Sequence, residues 1–165
     1  MIDMLRYLKP NEPFRYKMQY QNMMYTLAGF VISRASGTTW ESFVRENLIE
    51  PLDMGPVSFD APQLETFESR AKGYRFFEDA PVPGNKQVPY CPLYTMCPAG
   101  SISMTSTQLA KWDTLFLNKG KANGKQIISE EMCTQMFTPQ MLISDPIAEP
   151  FRVILICVPM GLDFS

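Results

Sequence analysis

The stretch QYQNMMYTLAG, residues 19–29, places a tyrosine and an asparagine two positions apart at the start of an amphipathic run. The apolar residues of this run recur at the spacing of one helix face. They are Met24, Leu27, Ala28, Val31 and Ala35. Gly37 follows, and glycine commonly supplies the left-handed residue that ends a helix. The pattern predicts a helix that ends near Gly37 and has Asn22 as its N-cap.

Helical patterns also flank this run. Residues 2–8 carry apolar side chains at helical spacing before Pro10, which predicts a short opening helix. Thr38 and Glu41 have the spacing of a capping box. The helix that they begin should end before Pro51.

The second half of the chain has two more helix starts. Thr105 and Gln108 repeat the capping-box spacing, and the helix that they begin should close near Gly120. The Asn-Gly pair at residues 123–124 is a strong turn signal. Ser129, followed by two glutamates, is typical of the N-cap of a last helix.

Strand signals are sparse. Proline and glycine recur every few residues between Pro51 and Pro92, and only residues 73–77 and 87–90 look extended there. Residues 153–158 are the longest apolar stretch and read as a buried strand. We therefore predict a mainly α fold with minor β, and a single unit over residues 1–165.

Composition excludes several classes of function. Apolar residues make up 45% of the chain and charged residues 19%, which is ordinary globular composition. The formal net charge is -2, and basic residues cluster only over residues 119–125, so we expect no nucleic-acid partner. The apolar run at residues 153–158 is far shorter than the roughly 20 residues that span a bilayer, so no membrane segment is predicted. The first residues lack the pattern of a secretory signal.

The chain has four cysteines and no histidine. No two cysteines are spaced as C-x-x-C, so we predict no metal site and no metal cofactor, and no organic cofactor is implied. We expect the four residues Cys91, Cys97, Cys133 and Cys157 to be buried free thiols. A bridge between Cys91 and Cys97 stays open as an alternative, because sequence does not give their separation.

The motif around residues 19–29 resembles the middle catalytic motif, Tyr-x-Asn, of the serine β-lactamase and penicillin-binding-protein superfamily. The likeness is to class C β-lactamases, D-alanyl-D-alanine carboxypeptidases and related esterases. Further matching segments follow in the order of that family: VISRASG at 31–37, PLDM at 51–54, AKGY at 71–74, PAGSIS at 98–103 and LAKW at 109–112. The resemblance implies the helical lobe of a β-lactamase/transpeptidase-like α+β fold, with the sheet largely missing.

The same resemblance assigns roles to four residues. Enzymes of this kind pass an acyl group from an amide or ester to a serine, which requires a base for the serine proton and a donor for the leaving group. By resemblance Tyr20 is that proton carrier, and Asn22 positions the substrate carbonyl and accepts from a lysine. Backbone near Gly100 and Ser101 would line the substrate cleft. The implied substrate of a complete enzyme is a small molecule: a β-lactam, a D-alanine peptide or an ester.

Simpler interpretations exist for both motif residues. Tyr20 could be a half-buried aromatic with a solvated hydroxyl, and Asn22 could merely cap its helix. Tyr25 follows the helical register and is expected to pack. The many methionines are expected to fill the core.

Two catalytic elements of the family are missing. The only Ser-x-x-Lys string, residues 69–72, leads into an extended stretch and follows the Tyr-x-Asn motif instead of preceding it, so we do not assign Ser69 as a nucleophile. No Lys-Thr-Gly occurs, and the absence of histidine excludes the His-x-Gly equivalent. We expect a fragment of a serine acyl hydrolase that is inactive alone. The alternative is a non-catalytic helical binding or scaffold module.

Overall fold

The computed structural model describes residues 2–16, 18–77, 84–91 and 96–140. The predicted strand over residues 153–158 and the fourth cysteine, Cys157, therefore lie outside the described residues. Within the described ranges the chain is mainly helical, with two small antiparallel sheets. This agrees with the predicted fold class.

The elements follow one another as short helices and hairpins. In chain order they are a 3₁₀ helix (Ile2–Tyr7), α1 (Asn22–Ser36), α2 (Trp40–Val44), a π-helical turn (Arg45–Ile49), α3 (Ala61–Glu65), β1 (Gly73–Phe77), β2 (Gly84–Val88), α4 (Cys97–Gly100), α5 (Ser106–Leu117), β3 (Lys121–Ala122), β4 (Lys125–Gln126) and α6 (Glu130–Phe137).

Helix α1 begins one residue earlier than predicted. Its N-cap is Gln21, which has extended backbone angles and whose Oε1 accepts from the backbone N–H of Met23 at 3.1 Å. The prediction that Asn22 is the cap is wrong, because Asn22 is already the first helical residue. The predicted end is confirmed: Gly37 has φ 75°, and its N–H donates to the carbonyl of Ser33.

The cap of α2 is also shifted by one residue. Thr39, not Thr38, is extended, and its Oγ1 accepts from the backbone N–H of Ser42 at 3.1 Å. Glu41 is then one position too early to complete a capping box. The helix passes into the π-helical turn and stops before Pro51, as predicted.

The long hairpin confirms one predicted strand and corrects the other. Strand β1 is Gly73–Phe77, as predicted, but β2 is Gly84–Val88 instead of residues 87–90. Gly73 pairs with Val88, and Phe77 pairs with Gly84. Pro89 has no N–H to donate to a ladder, which explains why the strand ends at Val88.

The predicted caps of the last two long helices are confirmed. Thr105 and Gln108 form both hydrogen bonds of a capping box at the start of α5. Ser129 accepts from the backbone N–H of Met132 at the start of α6. Between these helices, β3 and β4 are joined through Asn123 and Gly124, which both have positive φ as the tight turn requires.

The core lies between α2, the segment that follows the π-helical turn, and α5. Its buried apolar side chains are Val44, Ile49, Leu52, Met54, Val57, Phe59 and Leu115. The ring of Trp40 meets Phe59 edge-on, with centroids 5.7 Å apart. Ser58 and Ser103 exchange both backbone hydrogen bonds, at 3.0 and 2.8 Å, and so tie two distant parts of the chain together in this core.

Candidate functional site

Tyr20 lies in the extended segment just before α1. It is 60% exposed, so it is more open than the half-buried aromatic considered above. Its hydroxyl makes no hydrogen bond with the described residues. The phenol is therefore open to solvent at this end of the helix.

Asn22 is the first residue of α1 and follows Tyr20 by two positions, with the N-cap Gln21 between them. Its carboxamide Oδ1 is buried and has no hydrogen-bond partner among the described residues. A buried unsatisfied oxygen costs about 1–3 kcal/mol, so such atoms are rare and call for an explanation. Helix capping does not supply one, because Gln21 performs that function.

Helix α4 brings the segment with Gly100 and Ser101 against α1. A Cβ built on Gly29 would lie 2.2 Å from Cγ of Pro98, so the two helices touch where α1 has no side chain. Gly29 is seven positions after Asn22, about 10 Å along the helix axis. Pro98, two residues before Gly100, thus contacts α1 about two turns after Asn22.

The two residues predicted to line the cleft differ in exposure. Gly100 is exposed, and a Cβ built on it would meet nothing within 4 Å. Ser101 is buried, and its hydroxyl donates to the carbonyl of Cys97 at 2.8 Å. Open backbone is therefore available at Gly100, whereas the Ser101 side chain is committed to its own helical turn.

The Ser-x-x-Lys string does not open a helix. Ser69 and Lys72 are both exposed, and the segment runs directly into β1. The carbonyl of Ala71, between them, accepts a hydrogen bond from the hydroxyl of Tyr90. Ser69 thus lacks the helical setting that places a lysine next to the serine in this motif.

Sequence reasoning missed the contact between Gly29 and Pro98, which sets the position of α4. A cavity of about 510 Å³ opens beside that contact, with Thr26, Ser33 and Trp40 among its walls. A glycine inside a helical pattern was the available signal, because such a glycine often marks a close approach.

The described residues offer no group of three His, Cys, Asp or Glu side chains that could hold a metal ion. Cys97 and Cys133 are buried as predicted, but Cys91 is exposed, which corrects that part of the prediction. No disulfide joins Cys91 to Cys97.

Across the part of the chain that the structure describes, every helix is too short or too polar to cross a membrane.

Comparison with known proteins identifies the family. The model of the Beta-lactamase family matches residues 1–161. The chain is 26% identical over 123 residues to an unguisins hydrolase of Aspergillus campestris, which covers 72% of this chain and 22% of that protein. It is 27% identical over 125 residues to the putative penicillin-binding protein PbpX of Bacillus subtilis, covering 73% of this chain and 28% of that protein.

Solved structures share the fold of this chain. An octameric penicillin-binding protein homologue from Pyrococcus abyssi superposes with a TM-score of 0.63 at 25% identity, over 83% of this chain and 28% of that chain. D-amino acid amidase from Ochrobactrum anthropi superposes with a TM-score of 0.63 at 24% identity, over 82% of this chain and 37% of that chain. The chain thus spans well under half the length of these relatives. On the family match over nearly its whole length, the chain belongs to the Beta-lactamase family.

Proposed function

We propose that this chain is the helical lobe of a serine acyl hydrolase, that it contributes Tyr20 and Asn22 to the acyl-transfer site, and that it does not catalyse acyl transfer alone. The buried Oδ1 of Asn22, which has no hydrogen-bond partner among the described residues, is the observation that carries the proposal. An asparagine that only shaped its helix would have its oxygen bonded to the backbone. An asparagine of the Tyr-x-Asn motif instead keeps that oxygen for an ammonium group of the complete site.

The two side chains have complementary roles in this proposal. The exposed phenol of Tyr20 exchanges a proton with the attacking serine and with the leaving group. The carboxamide of Asn22 accepts from a lysine and donates to the carbonyl of the substrate. The exposed backbone at Gly100 borders the place where that substrate lies. The substrate class is a small amide or ester, with the acyl carbon attacked by a serine from another polypeptide segment.

Inactivity of the isolated chain follows from what its site lacks. Ser69 is the only serine in a Ser-x-x-Lys string, and it lies on an exposed bend before β1. The sequence has no Lys-Thr-Gly or His-x-Gly strand. Loss of a single oxyanion-hole donor lowers the rate about a hundredfold to a thousandfold, and here the nucleophile is missing as well.

Exposed apolar side chains favour the lobe over a free-standing scaffold module. Phe14 is 89% exposed, and Leu8, Tyr16 and Val31 are each more than half exposed. Three of these residues precede α1 in the sequence and Val31 lies on it, and large exposed apolar side chains are typical of a surface that another part of a fold covers. A scaffold module over residues 1–165 would instead be a monomer that unfolds in one cooperative transition, which size-exclusion chromatography and urea unfolding measure.

Covalent labelling tests the proposal. The 165-residue chain is incubated with a fluorescent penicillin and, separately, with a fluorophosphonate probe, and intact mass is measured. We expect no adduct, and the same result for Ser69→Ala as the matched control. Stoichiometric labelling of the wild-type chain contradicts inactivity, and labelling that disappears in Ser69→Ala identifies Ser69 as the nucleophile.

A further inference from the structure

A second cavity lies away from Tyr20 and Asn22, between the segment that precedes β1 and the start of α5. Its volume is about 780 Å³, within the range of ordinary small-molecule sites. Apolar side chains form much of its wall. They are Leu64, Phe67, Ile102, Met104 and Leu109.

The side chains of Gln108 and Tyr90, which also line this cavity, are engaged within the protein. The amide of Gln108 donates to the carbonyls of Met54 and Pro56 at 2.7 and 2.8 Å, and its oxygen accepts from the N–H of Thr105 at 2.7 Å. The hydroxyl of Tyr90 donates to the carbonyl of Ala71. These groups have little hydrogen-bonding capacity left for a ligand.

Arg70 is the one cationic side chain among the described residues that line this cavity. Its Nη1 donates to the carbonyl of Phe67 at 2.6 Å, but its Nε is buried and has no partner among the described residues. No carboxylate of the described residues forms an ion pair with it. A buried N–H of a charged guanidinium is unfavourable when it has no partner, because such groups are seldom removed from water unless they are paired.

We infer that this cavity binds a small organic carboxylate with a compact apolar body, and that Arg70 is its counterion. A guanidinium presents paired N–H donors in a plane, which matches the two oxygens of a carboxylate. Since Nη1 is committed to Phe67, the edge formed by Nε and Nη2 is the one left for the ligand. Nε is shielded from water, so the guanidinium must turn towards the cavity as the ligand enters. The apolar wall then accepts the rest of the molecule.

The test uses the wild-type chain and ligand pairs of matched shape. Hexanoate is compared with hexanamide, and N-acetylleucine with N-acetylleucinamide, in chemical-shift titrations by NMR. We expect saturable binding of a carboxylate about tenfold tighter than its amide, as one charge-assisted pair provides. A tighter hexanoate indicates a fatty-acid-like ligand, and a tighter N-acetylleucine indicates a peptide carboxyl terminus. Equal affinity for acid and amide, or no saturable binding, overturns the inference.

Variants then locate the charge. Arg70→Met should abolish the preference for acid over amide, whereas Arg75→Met, on the exposed hairpin, should retain it. Retention of the preference in Arg70→Met refutes the role of Arg70. Should Arg70→Met not fold, Arg70→Lys keeps the charge but loses the planar fork, and its preference should fall between those of the other two proteins. Asn22→Ala should bind hexanoate like the wild type, which separates this site from the acyl-transfer site.

Discussion

Pro98 occupies the space that a side chain at Gly29 of α1 would need. A Cβ built on residue 29 would lie 2.2 Å from Cγ of Pro98 and 2.5 Å from its Cβ. Gly29→Ala gains about 1 kcal/mol of helix propensity but must push α4 away, and overpacking of this kind costs roughly 1–3 kcal/mol. We expect a net loss of stability in urea unfolding. Gly100→Ala is the matched control, because a Cβ there meets nothing within 4 Å. Equal stability of the two variants would show that α4 moves freely on α1.

Gln21 and Asn22 should respond in opposite ways to alanine. Gln21→Ala removes the side-chain acceptor of the Met23 N–H and should lower the free energy of unfolding by about 1 kcal/mol. Asn22→Ala removes a buried oxygen that has no partner and introduces a strong helix former, so stability should be unchanged or higher. Urea unfolding of both variants measures the difference. A marked loss in Asn22→Ala would mean that the residue has a structural function after all.

Gln108 joins the start of α5 to the core segment at Met54 and Pro56. Thr105→Ala loses the side-chain acceptor of the capping box and should lower the free energy of unfolding by about 1 kcal/mol. Gln108→Ala should lower it further. The added loss, about 1–3 kcal/mol, comes from carbonyls left without donors. Gln108→Glu keeps an acceptor for the Thr105 N–H but brings a negative charge to those carbonyls, so it too should be destabilised. Thermal unfolding at neutral pH distinguishes the three variants.

Lys119 and Glu130 form an exposed ion pair with 2.6 Å between Nζ and Oε1. The hydrogen bond from Lys119, and then its positive charge, lower the pKa of Glu130 below its ordinary value of 4.5. The same bond and charge raise the pKa of Lys119 above 10.5. The stabilisation by Glu130 is therefore present above pH 4.5 and is lost as the pH falls through its lowered pKa in the folded state. The stabilisation by Lys119 is lost only as the pH rises through its raised pKa.

Glu130→Gln should accordingly be less stable than the wild type at pH 7, with the difference vanishing in acid and shrinking in high salt. Glu131→Gln is the matched control, because it removes a charge from the same first helical turn but not from this pair. Denaturant unfolding at pH 7 and in acid, below the lowered pKa of Glu130, measures both differences. A Glu130→Gln effect that persists in acid, or that Glu131→Gln reproduces, would contradict the ion-pair explanation.

Local chemistry made much of the helical pattern predictable. Thr105 with Gln108, Ser129 and Gly37 cap their helices as the sequence indicates, because each cap is satisfied within a few residues. The errors of one residue arise where two neighbouring polar residues can both accept. Gln21 and Thr39 are the caps because they are the residues that stay extended before the helix turns.

Features that depend on distant residues were not predictable. The end of β2 follows from pairing with β1, and the site of α4 follows from the fit of Pro98 on Gly29. For the candidate site, the sequence supplied Tyr20 and Asn22 through their motif, but not the buried state of the Asn22 oxygen. Arg70 carries no sequence signal at all, since its lack of a counterion among the described residues becomes apparent only once the cavity around it is formed.

The paired backbone bonds of Ser58 and Ser103 hold together the two ends of a long stretch of chain at the core. The hairpin of β1 and β2 lies between these two residues and is mostly exposed. Each doubling of the length of a flexible loop costs only about 0.6 kcal/mol of closure entropy. Insertions and deletions in this hairpin are thus inexpensive, and evolution can remodel it while the core and the end of α1 keep their geometry.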